Sequence, residues 1–118
     1  MSVVSAISAA EAMDHSMAGN AVMVDARPQV VRHQGSLPGA WVVDPSELSG
    51  RLRPTPTGTF PVIRDAGASA RREIASDTEI AVVSVSSEAP RIAEQIADLG
   101  YTNVRYVAGG YRALRSTT

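Results

Sequence analysis

Apolar residues bunch into short runs at Ala21–Val24, Ala40–Val43, within Glu79–Ser84 and at Val104–Val107, each bounded by turn-forming or charged residues. Runs of this length predict strands, and those without polar alternation suit strands covered on both faces. Between them the spacing changes to the helical period. Ile92, Ile96 and Leu99 fall on one stripe behind Pro90, and Gly100 is placed to end that helix. Near the start of the chain, Ser8 and Glu11 have the capping-box spacing, and Gly19 can close the helix they open. Asp44-Pro45-Ser46-Glu47 reads as another helix start: Asp44 to accept from first-turn amides, Pro45 to preset φ, Glu47 to complete the box. Gly109-Gly110 turns into a short C-terminal helix. Asp65 to Ala75 is weakly helical, with Gly67 against it, and Pro54-Thr55-Pro56-Thr57-Gly58 reads as a surface loop.

Strands alternating with helices through short connections predict an α/β fold, a parallel sheet covered on both faces. No repeat, low-complexity tract or linker interrupts the chain, so residues 1–118 are expected to form a single domain.

Composition narrows the chemistry more than the fold. At 118 residues, 44% of them hydrophobic and 19% charged, the chain has enough apolar material for a core without covalent staples. The formal net charge of −1 offers no field for nucleic acid or membrane. All 11 basic residues are arginines, which removes lysine-based covalent chemistry. There is no cysteine, so disulfides, thiolate metal sites and a cysteine nucleophile are excluded. The only histidines are His15 and His33, too few for a structural zinc site, and neither a metal nor a cofactor is expected. With no basic leader before an apolar stretch and no 18-residue apolar run, a cytoplasmic protein is expected.

Two blocks of residues give the order of elements a more specific meaning. The first is Val24-Asp25-Ala26-Arg27-Pro28 followed by Gly35-Ser36-Leu37-Pro38-Gly39-Ala40. The second is Leu99-Gly100-Tyr101, then Asn103-Val104, then Gly109-Gly110. In this order and at these distances the sequence resembles the rhodanese-like domain family over nearly its whole length. The resemblance implies a central, mostly parallel five-stranded sheet with helices on both faces. It also implies an active loop of the pattern Cys-x-x-Gly-x-Arg at the end of the central strand, where backbone amides and a helix N-terminus stabilise a persulfide.

That loop is degenerate here. Ser84 is the nearest match to the cysteine, Ser87 falls at the glycine and Ala89 at the arginine. The distance from Ser84 to Gly100 is one residue shorter than the family pattern, and in the alternative register Val83 takes the cysteine position. A serine cannot store sulfane sulfur, and its hydroxyl is a poor nucleophile without an adjacent base. His33 lies on the Asp25 to Gly35 loop and reads as a solvated loop residue. The spacing from Val85 to Arg91 equals the Cys-x5-Arg of the family's phosphatase relatives with valine as the nucleophile, and Arg91 equally reads as a solvent-facing helical residue.

The segment Ser84, Val85, Ser86, Ser87, Glu88 and Ala89 remains a candidate anion cradle, built from serines, backbone amides and a helix N-terminus. Glu88 opposes an anion there and also complements the helix dipole. Asp25 and Arg27, at the end of a buried strand, support the site or simply pair to hold the turn. Trp41 is expected in the core or at its rim. Arg105, Arg112 and Arg115 gather toward the C-terminus, as Arg71 and Arg72 do elsewhere, either as a partner surface or as solvated charge. The expected function is a rhodanese-like module without sulfurtransferase activity that binds a partner protein or a small anion. The alternative is a sulfurtransferase whose cysteine has been replaced at Ser84; a serine hydrolase acting through Ser84 stands behind both.

Overall fold

The computed structural model describes residues 4–27, 40–55, 62–63, 72–85 and 88–117. Its centre is a five-stranded sheet of β1 (Ser5–Ile7), β2 (Ala21–Asp25), β3 (Trp41–Val42), β7 (Glu79–Val83) and β8 (Val104–Val107), in the order β1-β8-β7-β2-β3. Every pairing in it is parallel, so the mostly parallel sheet is wholly so. A smaller sheet combines β4 (Leu52–Thr55), β5 (Val62–Ile63) and β6 (Arg72–Ala75), with β6 parallel to β4 and antiparallel to β5. The helices are α1 (Ala9–Met17), α2 (Leu48–Arg51), α3 (Ala89–Asp98) and α4 (Gly110–Thr117), with a 3₁₀ turn at Pro45–Glu47 leading into α2.

The apolar runs are explained by two cores, one on each face of the main sheet. In β7, Ile80 and Val82 face one way, with Val24 and Val104 of the neighbouring strands. They pack under Ile92, Ala93 and Ile96 of α3 and against Leu48, Leu52 and Ile74. Ala81 and Val83 face the other way, with Met23, Val107 and Ile7, under Ala9 and Ala12 of α1 and Tyr111 and Leu114 of α4. Both alternating sets are apolar, hence the continuous run. Burying each large aliphatic side chain of α3 contributes roughly 1.5–3 kcal/mol.

Local signals act as their chemistry requires. Ser8 Oγ accepts from the Glu11 amide at 3.1 Å, while Glu11 takes the Ser8 hydroxyl, not the Ser8 amide, at 3.1 Å. At the other end of α1, Gly19 has φ of +79°. The amides of Gly19 and Asn20 donate to the carbonyls of Ser16 and His15, which is the Schellman closure. His15 Nδ1 also lies 2.6 Å from Glu79 Oε2, joining the last turn of α1 to the start of β7. Asp44 caps as expected, accepting from the Ser46 amide and hydroxyl at 3.0 and 2.7 Å. Glu47 does not complete a box; its carboxylate pairs with Arg51 at 3.2 Å. Trp41 sits half-buried at the rim of the α3 core, with the Arg51 guanidinium 5.9 Å above its ring.

Three expectations are corrected. A strand, β1, precedes α1 where a helix was the first element expected, because Ser5–Ile7 finds β8 as a partner. Pro54 and Thr55 belong to β4, not to a loop, and the rest of that stretch lies outside the described residues. The weak helix ending at Ala75 is a strand at Arg72–Ala75, with residues 65–71 outside the description. In both cases pairing between β4 and β6 overrides weak local propensity.

Candidate functional site

A parallel sheet gathers all its strand ends on one edge, and the topology singles out one crevice there. From β2 the chain moves outward to β3, while from β7 it moves through α3 to β8, on the opposite side. The carboxyl ends of the adjacent strands β2 and β7 therefore form the switch point where α/β sheets place ligands. Asp25, Ala26 and Arg27 arrive there from β2, and Ser84 and Val85 from β7. The ladder continues into the crevice, with the Ala26 amide donating to Val83 O at 2.8 Å and the Val43 amide to Asp25 O at 3.0 Å.

Asp25 and Arg27 form a bidentate pair. Arg27 Nε donates to Asp25 Oδ1 at 2.9 Å and Nη2 to Oδ2 at 2.7 Å, and the Arg27 amide reaches Oδ1 at 3.2 Å. Both side chains are 1% exposed, so the pair forms part of the floor and does not project as a free charge. Tyr111, at the start of α4, places its ring 3.9 Å from the guanidinium carbon. The hydrogen bond to Asp25, opposed by burial and helped by the Asp25 charge and by Tyr111, raises the Arg27 pKa above its ordinary value. The guanidinium therefore stays charged and held in the floor.

Ser84 is fully buried, and its hydroxyl donates to the Ala26 carbonyl at 3.3 Å. Val83, the alternative cysteine-position residue, is also fully buried and belongs to the α1/α4 core. The first side chain after β7 to reach solvent is Val85, at 36% exposure. The Val85 carbonyl accepts from the amides of Glu88 and Ala89 at 2.9 and 3.1 Å, which starts α3. Of the expected cradle, Ser84 Oγ and the amides of Glu88 and Ala89 are thus engaged within the protein. Ser86 and Ser87 lie outside the described residues, as do His33 and the turn Gly35 to Gly39. Ala89, the first residue of α3, is buried, and Glu88 and Arg91 pair with each other across the exposed first turn, Arg91 Nε to Glu88 Oε2 at 2.9 Å. The Arg91 side chain is exposed and engaged in that pair, in keeping with a solvent-facing helical residue.

Arg105 is half-buried on β8, and Arg112 and Arg115 are exposed on α4. Among the described residues no cluster of three metal-ligating side chains occurs, and no helix is long and apolar enough to cross a membrane.

A family model described as Rhodanese-like domain matches residues 8–117. The chain belongs to the rhodanese-like domain family. No curated protein matches it significantly. Solved structures resemble this rhodanese-like domain along nearly its full length. Human single-domain sulfurtransferase TSTD1 is 21% identical, covers 96% of each chain and superposes with a TM-score of 0.69. A protein of unknown function from Rhodopseudomonas palustris, described as a possible tyrosine phosphatase, is 18% identical. It covers 97% of this chain and 81% of its own, with a TM-score of 0.68. A rhodanese-related protein from Thermoplasma volcanium is 17% identical, covers 96% and 92%, and has a TM-score of 0.64. At these identities the likeness establishes the fold.

The residue that sequence reasoning missed is Tyr111. Its signal was present: a parallel sheet delivers the start of the helix after β8 to the same edge as the end of β2. The aromatic that follows Gly109-Gly110 is therefore positioned to cover Arg27.

Proposed function

We propose that this rhodanese-like domain has left sulfur transfer and works as a binding and regulatory module, taking a partner protein in preference to a small anion. The observation that carries the reading is Ser84: in a chain without cysteine, the strand-end position holds a buried hydroxyl committed to the Ala26 carbonyl. A serine oxygen cannot carry sulfane sulfur. With no basic side chain hydrogen-bonded to it among the described residues, it also lacks the activation a serine hydrolase needs. The preference for a protein partner rests on the cradle, where three donors are already engaged internally and Glu88 places a carboxylate at the first turn of α3.

Thiosulfate-to-cyanide sulfur transfer by the purified chain, run beside Ser84→Cys, tests the reading. Both proteins are expected to be silent, and the parent is expected to show no added sulfur by mass spectrometry. Reproducible turnover or sulfur loading in the parent would overturn the proposal. Activity in Ser84→Cys alone would instead assign the scaffold to a sulfurtransferase whose nucleophile has been replaced. Titration with phosphate or sulfate, followed by amide chemical shifts, is expected to leave residues 84–89 unmoved; saturable shifts there would move the reading to the small anion.

A further inference from the structure

We draw no further inference here: the strongest candidate, the shallow groove of about 190 Å³ where Pro45, Ser46, Leu48 and Ser49 meet Gln95 of α3 and its C-cap Leu99, has mixed polar and apolar walls, and nothing in the structure shows what covers it.

Discussion

Arg27 folds back onto Asp25, two residues earlier in the chain, and closes a bidentate pair in which both side chains are 1% exposed. A buried pair of this kind is no measure of net stability, because desolvating two charges offsets most of their attraction. Removing one partner is a different matter, since the other then stays charged in the interior without its bidentate counterpart.

Arg27→Ala or Asp25→Ala should therefore destabilise the domain by about 3–5 kcal/mol, read by urea denaturation at neutral pH. The double variant Asp25→Leu with Arg27→Met should lose less than either single change, because no orphaned charge remains. The pH dependence has a definite sign. Since the pair raises the Arg27 pKa above its ordinary value, its contribution is complete below that value and is lost only as pH climbs through the raised one. A loss under 1 kcal/mol in both single variants would mean that the pair is open to water.

Ser84 and Val85 make opposite predictions for an introduced thiol. Ser84 is fully buried and Val85 is 36% exposed. In the native state Val85→Cys should react with an aromatic disulfide reagent at close to the rate of a free thiol. Ser84→Cys should react only when the loop opens, roughly 100-fold or more slowly. Equal rates at the two positions would contradict the buried placement of Ser84 and weaken the argument for an inactive strand end.

Tyr101 is 3% exposed, and no hydrogen bond of good geometry reaches its hydroxyl. Burial pushes its pKa up from 10.0 to about 12, with the Ile74 backbone amide offsetting part of the rise. The unfolded chain thus loses the phenolic proton first. Stability from this group is complete below pH 10 and falls between pH 10 and 12, by roughly 2–3 kcal/mol. Tyr101→Phe should remove that share of the alkaline loss while costing little at neutral pH, since the buried hydroxyl has no hydrogen bond of good geometry to lose. Denaturation curves of parent and variant at several alkaline pH values give the difference directly; parallel curves would refute the assignment.

How much of this was legible depends on whether local sequence or distant pairing decides the element. β2, β7, β8 and α3 carry their own patterns, because burial on both sheet faces leaves a continuous apolar run and α3 lays one stripe on the sheet. Residue patterns alone gave four strands of the main sheet. The fifth, Ser5–Ile7, is three residues long, and only its pairing with β8 identifies it. β4 and β6 were hidden for the same reason, since Leu52–Thr55 contains a proline and Arg72–Ala75 begins with two charges. At the site, Asp25, Arg27 and Ser84 were legible as positions. That Ser84 turns its hydroxyl inward to Ala26 is a property of strand register, which no spacing in the sequence encodes, whereas Tyr111 over Arg27 follows from the topology once Gly109-Gly110 is placed after β8.

Three glycines allow backbone strain to be separated from steric conflict. Gly19 and Gly109 both have positive φ, +79° and +81°, but a Cβ at Gly19 would meet nothing within 4 Å, whereas one at Gly109 would lie 2.8 Å from Ala113 Cβ. Gly50, in α2, has neither problem, with open space around it and no positive φ. Gly50→Ala should then stabilise by about 0.5–1 kcal/mol through the unfolded chain. Gly19→Ala should cost about 1 kcal/mol for the left-handed conformation alone. Gly109→Ala should cost more than Gly19→Ala, because the short, rigid Ala113 side chain cannot swing aside and the start of α4 must shift. That shift would also carry Tyr111 off Arg27, so the Gly109 variant should lose stability through the Asp25–Arg27 floor as well. Combining Gly109→Ala with Tyr111→Leu tests this coupling: the double loss should fall short of the sum. Strict additivity would show that α4 can adjust at its first residue without disturbing the crevice.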